Sequence, residues 1–137
     1  MKKVIILITM MISLVGCATL QETKVDSPQA VESVVEVTNI EYNLINIFPG
    51  QGLTVGFDDA GRIFGYSGLN RYFGKADIKD GRIVVDPLAP TKMGGSREAL
   101  IREDQFLTLL KSMTKISKTG DKLILTNTKG EQLIFSK

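Results

Sequence analysis

The apolar positions of this chain fall into three regimes. Val4 to Val15 is almost wholly apolar, interrupted only by Thr9 and Ser13. Ala18 to Ser33 is polar and has no apolar period. From Val34 onward, short runs with strand-type alternation are separated by turn-forming residues, and one stretch changes to a helical period.

The alternating runs predict a series of strands. Val35, Val37 and Ile40 open a strand-like region that Leu44 to Phe48 continues, and Pro49-Gly50-Gln51-Gly52 turns the chain. Leu53 to Phe57 and Arg62 to Tyr66 form a pair around Asp58-Asp59-Ala60-Gly61, where Gly61 supplies the positive φ such a loop needs. Asp58 and Asp59 read as turn formers rather than as a metal or acid pair. Tyr72 to Ile78 and Arg82 to Val85 flank Asp80-Gly81, a strong hairpin signal, and Pro87 is expected to stop the second strand. The closing part predicts strands at Thr114 to Thr119, Lys122 to Thr126 and Gln132 to Phe135.

Between the two strand groups, Arg97 to Met113 lacks Gly and Pro. Phe106, Leu109, Leu110 and Met113 share one helical face that Ala99 extends backwards. Ser96 is placed to cap this helix, and Glu98 lies in its first turn, where an acid favours the dipole. Strands joined by tight turns are antiparallel. The expected fold is therefore mainly β: a small antiparallel meander or closed barrel with a single α-helix inserted between strands, the helix plugging one open end.

The first regime is a different kind of segment. Lys2 and Lys3 precede an apolar run of about a dozen residues, too short to span a bilayer, which needs about 20. Gly16 and Cys17 follow it, and Cys17 is the only cysteine in the chain. Leu14-Val15-Gly16-Cys17 resembles the lipobox of bacterial lipoproteins. That resemblance implies a signal peptide over 1–16, lipidation of Cys17, and a flexible tether over 17–33 ahead of a folded domain over 34–137. Each buried CH₂ of an acyl chain holds the membrane by about 0.8 kcal/mol, so several chains give a stable anchor. Ala18 rather than Asp follows the cysteine. The expected location is the cell envelope, and the periplasmic face of the outer membrane where the host has two membranes.

Charge and composition then remove function classes. The chain carries 17 Lys and Arg against 15 Asp and Glu, and loss of Lys2 and Lys3 with the signal peptide leaves 15 of each sign. A balanced domain gives no reason to expect nucleic acid. The absence of histidine removes the commonest metal ligand and the commonest general base near neutral pH. With a single cysteine no internal disulfide can form. No catalytic set, metal site or cofactor is expected, and the protein is read as not an enzyme. Ser112-Met113-Thr114-Lys115 and Lys118-Thr119-Gly120 imitate motifs of penicillin-recognising enzymes, but no Ser-Asp-Asn element accompanies them. Gly68 to Lys75 has the wrong glycine spacing for a phosphate loop, and Ala76 stands where Ser or Thr is required.

Two blocks carry a resemblance of the folded part. Gly65-Tyr66-Ser67-Gly68-Leu69-Asn70-Arg71-Tyr72-Phe73-Gly74 and Pro87-Leu88-Ala89-Pro90-Thr91-Lys92-Met93-Gly94-Gly95 are similar to the central motifs of the META-domain, or HslJ-like, family. The resemblance covers about Val34 to Lys137. It implies a small lipocalin-like barrel, often lipid-anchored and sometimes linked to heat shock or antibiotic tolerance, without an agreed reaction. Leu69 and the Gly94-Gly95 pair stand where relatives often have Cys, so no thiol role carries over.

Within those blocks, Asn70 tolerates αL and can bond its own backbone, and Arg71 carries five donors. Both read either as structural pins of a strand crossover or as contacts to a ligand or partner. Thr91, Lys92 and Met93 carry the same alternatives, since a long loop before a helix either packs or binds. The expected partners are the membrane, through the lipid anchor, and either an envelope protein or a small apolar ligand. The expected assembly is a monomer.

Overall fold

The computed structural model describes residues 37–137. Cys17, the apolar leader, the tether and Val35 lie outside the described residues. Eight strands follow in chain order with one helix: β1 (Ile40–Leu44), β2 (Thr54–Phe57), β3 (Arg62–Tyr66), β4 (Arg71–Lys79), β5 (Arg82–Pro90), α1 (Arg97–Lys111), β6 (Met113–Thr119), β7 (Lys122–Asn127) and β8 (Gln132–Ser136). Each strand pairs antiparallel with the next, and β1 pairs with β8 through Asn43↔Ser136 and Leu44↔Phe135. The sheet is thus a closed barrel, and closure removes the exposed edges an open meander would present.

Alternation along the strands decides which side chains face inward. Leu123 and Leu125 on β7, Leu133 and Phe135 on β8, and Ile63 on β3 are fully buried. An eight-stranded barrel has an interior just wide enough for side chains to fill. Here Tyr42, Phe57, Tyr72, Phe106 and Phe135 supply the bulk of that filling. Each such side chain contributes roughly 1.5–3 kcal/mol relative to exposure. On β6 the buried positions are Met113 and Ile116, an odd spacing, because the ladder to β7 slips between Met113 and Lys115.

Close packing imposes two glycines. A Cβ on Gly65 would lie 2.3 Å from the Thr54 carbonyl oxygen and 2.6 Å from the Tyr72 hydroxyl. On the outer wall, the Phe64 ring lies over Gly56, where a Cβ would come within 2.6 Å of it.

The structure corrects three boundaries. β1 ends at Leu44, and residues 45–53 form a loop in which Phe48, Gly50 and Gly52 take positive φ, so Leu44 to Phe48 does not extend the strand. β5 continues through Pro87 to Pro90. Its register against β4 slips between Gly74↔Leu88 and Ala76↔Val85, so Pro87 falls where the ladder lapses and its missing N–H costs no bond. The helix stops at Lys111, capped by Ser112, and Met113 already belongs to β6.

The two ends of the barrel differ. One carries the tight turns at 58–61, 80–81 and 120–121, with the chain entering beside it through Asn39, whose N–H donates to Phe57 O at 2.7 Å. The other carries the 45–53 and 67–70 loops and the 91–96 segment leading into α1. The helix packs on β5 and buries Phe106 and Leu110 in the core. Phe106 meets Tyr72 edge-on, with ring centroids 5.9 Å apart.

Candidate functional site at the helix-bearing end

The 67–70 loop joins β3 to β4 and owes its tight course to Gly68, at φ 88°. The Ser67 N–H donates to Asn70 O at 2.8 Å, and the Asn70 N–H donates to Ser67 Oγ at 3.0 Å. This reciprocal turn aims the Asn70 side chain into the gap between the loop, the 91–95 segment and α1.

Asn70 is buried, and its side-chain amide is saturated. Nδ2 donates to Glu103 Oε1 at 3.0 Å and to Met93 O at 3.3 Å. Oδ1 accepts from Met93 N at 2.8 Å and from Thr91 Oγ1 at 3.1 Å. An asparagine amide has two donors and two acceptor sites, and all four are used. No capacity is left on it for a ligand. Asn70 is the pin that ties three sequence-distant segments together.

Glu103 completes the node. It is buried on the inward face of α1, and its carboxylate accepts from the Ser67 hydroxyl, the Asn70 N–H at 3.1 Å and Asn70 Nδ2. Without this acceptor one Asn70 Nδ2 hydrogen would be left unpaired in a buried site. The neighbouring Arg102 Nε is buried near Gly68 and lacks a hydrogen-bond partner among the described residues.

Arg71 goes the other way. As the next residue along β4 it points to the outer wall, where Nη1 lies 2.9 Å from Glu41 Oε1. Glu41 also accepts from Thr54 Oγ1, so this ion pair joins β1, β2 and β4 on the outside. Its side chain is half-exposed, and such a pair is worth little in water. The structure therefore separates Asn70 from Arg71 although they are adjacent in the chain.

Thr91, Lys92 and Met93 are exposed. Thr91 and Met93 are nevertheless fixed by Asn70, the latter at both its N–H and its carbonyl. The Met93 side chain remains 66% exposed. Lys92 has no ion pair among the described residues. A pinned backbone thus displays a cation and an apolar side chain.

Sequence reasoning did not single out Ser67 or Glu103. A signal was present: Ala99, Glu103, Phe106 and Leu110 lie on one helical face, which places a carboxylate in the apolar stripe. Beneath the node, the Tyr72 hydroxyl donates to Thr54 O at 2.6 Å. Burial pushes its pKa well above the usual phenol value, and the Glu41 charge adds to the shift. Among the described residues, no three His, Cys, Asp or Glu side chains cluster as a metal site requires.

An all-antiparallel eight-stranded barrel, closed on itself and capped by one helix that is held through a buried asparagine, defines the class of fold. Residues 35–137 match the family described as META domain, and the chain belongs to that family. No curated protein matches the chain. Among solved structures, the NMR structure of a protein from Burkholderia xenovorans superposes with a TM-score of 0.62 at 21% identity, covering 74% of this chain and 83% of that one. A second NMR structure gives 0.58 at 17% identity, covering 74% and 92%. At these identities the likeness is one of fold.

Proposed function

We propose that this chain is a non-catalytic lipoprotein of the cell envelope that binds an envelope protein through the pinned loop at 91–95. The observation that carries the reading is the treatment of Met93. A single buried amide holds its backbone on both sides while its side chain stands in solvent beside Lys92. A contact loop held in place before binding loses less conformational freedom on association. The same geometry suits an inhibitor of an envelope hydrolase, which needs a rigid exposed loop. A carrier of small apolar ligands is less well supported, because aromatic rings occupy the barrel interior.

The anchor half of the proposal rests on the lipobox at Cys17, and the stress-tolerance role on family resemblance. The test is complementation of a deletion strain challenged with heat and envelope-acting drugs. Wild-type chain restores survival. Cys17→Ser is released from the membrane fraction, and Met93→Ala combined with Lys92→Glu stays anchored at normal abundance but fails to restore survival. Full rescue by the loop variant would sink the binding role. Normal processing and membrane retention of Cys17→Ser would sink the anchor.

A further inference from the structure

The solvent side of α1 carries a short stripe that no part of the described chain covers. Leu100 is 46% exposed and Ile101 is 49% exposed, side by side near the middle of the stripe. Arg97 lies one turn before them and Asp104 one turn after, both exposed. Positions seven apart return to nearly the same helical face, so the four residues form one surface turned away from the core-facing Phe106 and Leu110. Neither Arg97 nor Asp104 has an ion pair among the described residues.

This stripe is complementary to itself. The midpoint between Arg97 and Asp104 is also the midpoint between Leu100 and Ile101. A two-fold axis through that point, lying between the helices and perpendicular to them, brings Arg97 against Asp104 of the partner subunit, and sets Leu100 and Ile101 each beside its own counterpart across the axis. By symmetry the charged contact is made twice, as an isologous interface requires. A parallel arrangement would instead oppose like charges. The antiparallel one also aligns the helix dipoles favourably.

We propose that α1 is a homodimerisation surface, pairing antiparallel with α1 of a second copy about the Leu100–Ile101 midpoint. The charge pattern favours a second copy over a bilayer or an unrelated protein, since a lipid surface has no use for Asp104 and only a copy of this chain is certain to match both signs at this spacing. The interface is small, so the dimer is weak in dilute solution. Confinement of anchored copies to one membrane plane raises their effective concentration and strengthens it. This proposal differs from the monomer expected from sequence; it does not depend on the Met93 reading, and only the strengthening by confinement rests on the proposed anchor.

The test is sedimentation and crosslinking of the full chain in detergent, with far-UV circular dichroism to show that each variant keeps its fold. Asp104→Arg and Arg97→Asp each weaken dimerisation by about tenfold or more. The combined Arg97→Asp, Asp104→Arg chain recovers to within about threefold of wild type, because the pairs re-form with exchanged signs. Ile101→Cys gives an oxidised covalent dimer well above that of the wild-type chain, whose only thiol is Cys17. Two chains sharing a micelle by chance would ignore the charge pattern. A wild-type chain that stays monomeric at every concentration, or a double variant no better than either single one, overturns the proposal.

Discussion

The two ends of this barrel are closed by different means. At the turn end, the hairpin turns are themselves local. Asp58 accepts from the Ala60 N–H at 3.0 Å and the Arg62 N–H at 2.9 Å, and pairs with Arg62 Nε at 2.6 Å, all within four residues. Asp80 and Gly81 turn the next hairpin with φ of 51° and 72°. At the helix end, Asn70 reaches Met93 and Glu103, 23 and 33 positions away. Local turns can form before the rest of the barrel, whereas the Asn70 node exists only once three distant segments have met. A change in the Asp58 turn should therefore disturb few residues, whereas one at the Asn70 node unties three segments.

The largest effect should come from Glu103→Ala. It leaves one Asn70 Nδ2 hydrogen unpaired in a buried site and removes an acceptor that the Ser67 hydroxyl and the Asn70 N–H share with other partners, and should cost about 2 kcal/mol in denaturant unfolding. A cost below about 1 kcal/mol would mean the node contributes no more than an exposed turn.

Tyr72→Phe sharpens the comparison just beneath the node. Loss of the bond to Thr54 O should cost about 1 kcal/mol at neutral pH. The hydroxyl has a folded pKa raised above the unfolded value near 10, so its contribution is complete below that value and declines as pH rises beyond it. Wild-type stability should thus fall more steeply than that of Tyr72→Phe above pH 10. Parallel slopes would show that Tyr72 ionises as freely folded as unfolded.

The smallest effect belongs to the turn end. The backbone N–H of Arg62, followed by its side chain, holds the Asp58 pKa below 3.8. A depressed carboxylate stabilises the fold above its unfolded pKa and loses that contribution as pH falls through the folded one. Asp58→Asn should be slightly less stable than wild type at pH 7, with the gap closing below pH 3.8. A gap that widens with acid would mean the Arg62 contacts do not favour the charged form.

Legibility in the sequence follows the same division. The hairpins at 58–61 and 80–81, the cap at Ser96 and the helix from Arg97 are readable because each depends on neighbours a few residues apart. The loop after Leu44 was not, since Ile45, Ile47 and Phe48 look like strand residues; Ile45 still donates to Ile134 O at 2.9 Å, but the chain then leaves the ladder and Phe48 takes a positive φ. The passage of β5 through Pro87 depends on a register slip against β4 that no local pattern announces. Asn70 and Arg71 offered the same two alternatives on paper. Strand parity separated them, sending one inward to the node and the other outward to Glu41.

Period, turn chemistry and capping were enough to specify eight strands, one helix and antiparallel order, because those signals act over a few residues. Closure of the barrel, the burial of Glu103 in the helix face and the saturation of Asn70 were settled by assembly. A hydrogen bond needs its partner within about 3 Å, and which distant segment supplies that partner is a property of the packed chain.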